Sequence, residues 1–232
     1  MSGAWTVIDE QAGLYDCQRL EDDVCVLRAT ALRLADGTFC VVSPIRGTAE
    51  EGHGWLEERG GVSVLLAPNH FHNLGLPSFS ERHGAEVVAR SPRVARLTGL
   101  ETRTVEFLAE RLPPHARALS IPGSRTGEVW LSIQTSRGLA WVVGDAFSYV
   151  PRTPNTFLGL MFWALRYSPG LCIGNSFKWY ALDDRRAYRD WLHERLATDA
   201  PALLVPAHGD VTELQTGALA ALTTARLGAP AG

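Results

Sequence analysis

One short stretch constrains this chain more than any other: Ala67-Pro68-Asn69-His70-Phe71-His72-Asn73-Leu74-Gly75. It follows an apolar run, Val62-Ser63-Val64-Leu65-Leu66, that reads as a fully buried strand. A strand that stops at a Pro-Asn turn delivers its next residues to the end of a sheet, where α/β proteins usually keep their chemistry. In extended backbone His70 and His72 would leave on the same side, because side chains alternate with a period of two. Two imidazoles converging from one strand end are half of a metal site.

The rest of the chain supplies two further strand ends of the same kind. Leu139-Ala140-Trp141-Val142-Val143 stops at Gly144-Asp145, and Ala202-Leu203-Leu204-Val205 stops at Pro206-Ala207-His208-Gly209. Each polar residue sits beside Gly or Pro, as a side chain aimed into a crevice would. Taken singly, such residues are ordinary turn and loop chemistry. Together, His70, His72, Asp145 and His208 form a candidate metal-ligand set.

Other elements follow from local pattern. Residues 24–34 and 39–42 read as a hairpin about Ala35-Asp36-Gly37-Thr38, and residues 129–133 and 139–143 as another about Ser136-Arg137-Gly138. Helices are expected near Trp55 to Arg59, over Pro92 to Leu97, from the Asp183-Asp184 cap to Leu196, and from Thr212 to Leu227. Residues 85–89 suggest one more strand, and Thr104 to Leu112 is ambiguous. No linker divides the chain, so residues 1–232 are read as a single domain of two β-rich halves with helices outside.

Composition narrows the function classes. The net charge of −3, with 46% apolar and 20% charged residues, gives no basic surface for nucleic acid. The four cysteines, Cys17, Cys25, Cys40 and Cys172, lack C-x-x-C spacing and read as thiols, not a disulfide frame. No secretory signal is visible at the N-terminus, which points to the cytoplasm. Residues 156–165 are the most apolar stretch, yet fall well short of the roughly 20 residues a membrane span needs. They are expected to pack on the core or to cover the site, so membrane contact is not expected and a small-molecule ligand or substrate is.

The order His-x-His, Gly-Asp after a strand, and Pro-x-His-Gly near the C-terminus resembles the metallo-β-lactamase superfamily over nearly the whole chain. That resemblance implies an α/β (α+β) four-layer αββα sandwich with a metal site along one edge. Pro122-Gly123-Ser124-Arg125-Thr126-Gly127 is similar to the family's Pro-Gly-His-Thr-x-Gly motif. The branch is a divergent one, with Ser43-Pro44 in place of Asp-x-Gly. The family's first motif continues His-x-His-x-Asp-His, whereas here Leu74 and Gly75 follow, and the third-motif histidine is Ser124. A normal two-metal centre is thereby excluded.

The resemblance then implies a reduced site for at most one divalent metal, zinc or iron, with His70, His72, Asp145 and His208 as ligands and Asp145 as catalytic residue. Such a site would suit hydrolysis of a small ester, lactone or thioester. Leu74 stands where the family has its proton-handling Asp, and leucine moves no proton. The rival reading is a metal-free, non-catalytic binding module. There Asp145 satisfies the histidines by charge-assisted hydrogen bonds, and Arg125 fills part of the vacated space. His53 and His115 are possible substitute ligands, His83 and His193 read as surface, and Trp163 and Trp179 could line a pocket.

Overall fold

The computed structural model describes residues 4–21, 24–150, 152 and 169–230. The apolar segment 156–165 and Trp163 lie outside these residues. The first sheet is built in chain order from β1 (Trp5–Asp9), β2 (Leu14–Glu21), β3 (Val24–Arg33), β4 (Phe39–Val42), β5 (Val62–Ala67), β6 (Glu86–Ala89) and β7 (Thr102–Arg103). Its first four strands pair antiparallel, while β4 to β7 run parallel. The parallel crossovers carry α1 (Glu50–Glu57), α2 (Leu76–His83) and α3 (Arg93–Thr98).

After α4 (Val105–Ala109) the chain enters a second sheet. Its strands are β8 (Ala116–Ser120), β9 (Val129–Thr135), β10 (Gly138–Val143), β13 (Leu203–Pro206) and β14 (Thr212–Glu213), in the order β14-β13-β10-β9-β8. A small ribbon, β11 (Ser148–Val150) with β12 (Gly170–Cys172), precedes a π-helical turn at Phe177–Ala181, then α5 (Arg185–Asp199) and finally α6 (Ala218–Leu227). Among the described residues no helix is long and apolar enough to cross a membrane.

The strand period of two sorts side chains into three cores. Val64 and Leu66 of β5 meet Val129, Leu131, Ile133, Ala140, Val142, Leu203 and Val205 between the sheets. Their neighbours Leu65 and Ala67 face outward onto Leu56 of α1, Phe79 of α2 and Val94 of α3. On the far side, Trp130, Trp141 and Leu204 pack beneath Phe177, Tyr188 and Leu192 and against Leu219 of α6. Both faces of both sheets are thus covered, giving the four-layer αββα sandwich.

Several elements depart from sequence expectation. Strands β1 and β2 occupy the N-terminal stretch that carried no strand signal, because Asp16 and Arg28, both buried, pair with each other across β2 and β3. Thr212–Glu213 is an edge strand, and the last helix begins only at Ala218. The helix expected near Trp55 starts earlier, at Glu50. Asp184 caps α5 as expected, its side chain accepting from the Ala187 N–H at 2.9 Å. All four cysteines are buried and unbridged.

Candidate metal centre

Where β5 ends, the backbone turns and does not continue extended. The His72 N–H donates to the Asn69 carbonyl at 3.3 Å, and the Phe71 N–H donates to Asn69 Oδ1 at 2.8 Å. This Asx turn separates the two imidazoles that an extended strand would have aligned. His72 projects toward the ends of β10 and β13. His70 does not join it: that residue is 95% buried, and its Nδ1 has no hydrogen-bond partner among the described residues. Its backbone is fixed instead, the N–H donating to the Thr126 carbonyl at 3.1 Å.

His72, Asp145 and His208 each offer one ligand atom, all within 4.8 Å of one another. His72 Nε2 and His208 Nε2 both lie 3.1 Å from the same oxygen, Asp145 Oδ1. The far nitrogen of each ring is anchored. His208 Nδ1–H donates to the Val26 carbonyl at 2.7 Å, and His72 Nδ1 lies 2.7 Å from Ser43 Oγ. Because a carbonyl only accepts, the proton on His208 Nδ1 is assigned by its partner, and a neutral ring then turns its Nε2 lone pair toward Asp145. Ser43 holds its place at φ +53°, a backbone region that residues with a side chain rarely adopt.

The donor set fits a divalent cation. In a tetrahedral site with bonds of about 2.0–2.1 Å, donor atoms stand about 3.3 Å apart, close to the 3.1 Å that separates each histidine Nε2 from Asp145 Oδ1. With Nδ1 of each ring engaged elsewhere, two imidazoles in the neutral form that binds a cation, plus one carboxylate, would leave a fourth position open. That position faces a crevice of about 390 Å³ between Ser43, Phe71, Leu74 and the three ligating groups, with Arg19 and Arg46 also on its lining.

Behind Asp145 lies a buried polar cluster that the sequence did not reveal. Glu128 is fully buried immediately before the apolar run of β9. Asn69 Nδ2–H donates to Glu128 Oε2 and to Asp145 Oδ2, each at 2.8 Å. Trp130 Nε1–H and the Asp145 N–H donate to Glu128 Oε1 at 3.2 and 3.1 Å. Burial and the neighbouring Asp145 charge push Glu128 up to about 8, against the pull of those donors. Burial would also raise Asp145, but the charge of His72 and hydrogen bonds from both histidines hold it well below the ordinary carboxylate range. Gly144 makes the arrangement possible, since a Cβ there would come within 2.7 Å of Glu128 Oε1.

The loop bearing His208 is clamped by buried Arg28, which donates to the carbonyls of Pro206 and Gly209. Gly209 has φ +94°, and a Cβ would strike the Tyr149 carbonyl oxygen at 2.0 Å. His115 lies elsewhere, its ring against the Ala12 carbonyl. His53 and His83 pair with each other at 2.9 Å, so His83 is not a free surface residue. His193 is held by the Gly228 carbonyl, and Trp179 is half exposed. Arg125 is exposed and does not line the crevice.

No family model and no curated relative matches this sequence. Solved structures do match, over nearly the full length of both partners. A metallo-β-lactamase from Pontibacter korlensis superposes with a TM-score of 0.54 at 12% identity, covering 97% of this chain and 96% of its own. The metallo-β-lactamase FIM-1 from Pseudomonas aeruginosa, in its mono-zinc form, gives 0.57 at 12% identity, with 97% and 94% covered. A putative diflavin flavoprotein fragment from Nostoc sp. PCC 7120 gives 0.59 at 13% identity, again with 97% and 94% covered. The chain has the metallo-β-lactamase fold, and its candidate ligands, His72, Asp145 and His208, stand together at the strand ends of that fold.

Proposed function

We propose that this protein is a metal-dependent hydrolase with a mononuclear centre, acting on a small ester, lactone or thioester. The observation that carries the reading is the shared approach of His72 Nε2 and His208 Nε2 to Asp145 Oδ1, both at 3.1 Å, with each opposite ring nitrogen held in place. His72, Asp145 and His208 would hold one divalent ion, zinc or iron, which when bound polarises a carbonyl and makes its water more acidic. Ser43 and the Val26 carbonyl keep the two rings in register. Asn69, itself braced by Glu128, fixes the second oxygen of Asp145. Phe71 and Leu74 give the crevice an apolar wall that suits an acyl group better than a highly charged polymer. His70, included in the ligand set by its spacing, has no place in this centre unless the turn at Asn69 rearranges.

A second reading has its own observation. Without metal, His208 can satisfy both the Val26 carbonyl and Asp145 only as an imidazolium. Burial works against that charge, yet the hydrogen bond and charge of Asp145 raise His208 above its ordinary value. A closed His–Asp–His hydrogen-bond cluster would then make the crevice a binding site without turnover.

Metal analysis of untagged protein, followed by assays with a p-nitrophenyl ester, a γ-lactone and an acyl thioester, separates the two. Turnover that is lost on chelation, restored by zinc or iron, and absent in Asp145→Asn supports the hydrolase. Protein that takes up no metal and turns over none of the three contradicts it in favour of the metal-free binding module.

A further inference from the structure

On the other side of the Phe71–Leu74 ridge lies a wider cleft, of about 700 Å³, lined by His70, Asn73, Arg93, Arg96 and Leu97 together with the ridge itself. Its volume is within the range of small-molecule sites, about 300–1,000 Å³. Asn73 is committed, its Nδ2–H donating to the His70 carbonyl at 2.6 Å, but the other polar groups have capacity to spare. His70 is only 5% exposed, and among the described residues its Nδ1 has no hydrogen-bond partner. Arg93 and Arg96 make no ion pair among the described residues. They are three apart on α3 and so share a face of that helix. Among the described residues no Asp or Glu lines the cleft.

The remaining lining is apolar and open to solvent. Phe71, Leu74 and Leu97 are 54%, 68% and 60% exposed, among the most exposed large apolar side chains of the described residues. Two guanidiniums without an ion pair and an imidazole whose Nδ1 is unpartnered, set beside an apolar shelf, match a ligand with an anionic head and a short hydrocarbon body. A cleft of this volume accommodates a small molecule.

We propose that this cleft binds a small amphipathic anion, its carboxylate or phosphate on Arg93, Arg96 and His70 and its apolar part on Phe71, Leu74 and Leu97. The site does not depend on a metal at His72, Asp145 and His208, so it can stand or fall separately from the hydrolase reading.

Calorimetric titration of the full chain with hexyl phosphate, hexanoate, inorganic phosphate and hexylammonium tests it. Saturable binding of hexyl phosphate or hexanoate is expected, with none of hexylammonium. Arg93→Gln/Arg96→Gln should weaken the anions about tenfold or more, since each arginine loses a charge-assisted contact. Both positions are exposed, so the melting temperature of the free protein should not move. Leu97→Ser should weaken hexyl phosphate severalfold while leaving inorganic phosphate unchanged, and His208→Ala should leave all affinities as they were. The proposal is overturned if neither hexyl anion binds saturably, or if the arginine variant binds them as well as wild type. Loss of binding in His208→Ala would move the anion to the metal crevice and also overturn it. So would sedimentation with phosphatidylglycerol vesicles by a protein that ignores the soluble anions.

Discussion

His70 and His72 are separated by a single residue, yet they serve two clefts of opposite character. On the His72 side every functional atom is matched from within the chain. Ser43 and Asp145 take the two ring nitrogens, Asn69 and Glu128 brace Asp145, and the Val26 carbonyl holds His208. On the His70 side, among the described residues, the imidazole Nδ1 has no hydrogen-bond partner and neither arginine has an ion pair. A network already satisfied by the protein holds its donors in fixed directions, which is what a small cation with strict geometry requires. Unmatched cations beside an apolar shelf instead leave work for a ligand to complete. The Asn69 turn is what divides the two.

The comparison can be broken hardest at Gly75, where the ridge between the clefts meets the rest of the fold. A Cβ there would lie 1.9 Å from the Pro44 carbonyl oxygen, so Gly75→Ala must displace backbone on one side or the other. A loss of about 3 kcal/mol is expected, lowering the melting temperature by roughly 5–10 °C, with both metal uptake and anion binding impaired. An unchanged melting curve would show that the ridge is not the rigid divider described.

A smaller change should separate the clefts. Glu128→Gln presents an amide N–H₂ to groups that are themselves donors, costing about 1–3 kcal/mol in chemical denaturation. Metal affinity should fall with it, while affinity for hexyl phosphate stays put. If the anion site weakened equally, the two clefts would be one coupled unit. Smaller again is Ser43→Ala, which frees His72 Nδ1 for about 1 kcal/mol of stability. Its clearer signature is metal affinity lower by about tenfold or more in a competition titration, because ring orientation is no longer fixed. Smallest of all is Arg93→Gln on the metal side, where titration with zinc should be indistinguishable from wild type.

How much of this was legible in the sequence depended on where backbone hydrogen bonding overruled side-chain pattern. The apolar runs at 62–66, 129–133, 139–143 and 202–205 announced the central strands, and the residues just past two of them, Asp145 and His208, are at the site. The His-x-His pair was misleading because the alternation rule holds only while the strand continues, and Pro68-Asn69 ends it. Glu128 was missed because glutamate normally marks surface. Its one signal was position, directly before an apolar strand at the same sheet end as Asp145. Strands β1 and β2 were hidden by Asp16 and Arg28, charges that look exposed until their pairing is seen.

The central claim is that His72, Asp145 and His208 together hold one divalent ion. It is tested most directly by the melting temperature and metal content of wild type and His72→Ala, each stripped with chelator and then titrated with zinc or iron. A ligand that binds only the folded state stabilises it by about 2.7 kcal/mol at a hundredfold excess over its dissociation constant. Wild type is expected to take up one equivalent and melt higher, whereas His72→Ala takes up none and does not respond. A wild type that stays metal-free and melts at the same temperature with or without added metal would contradict the account.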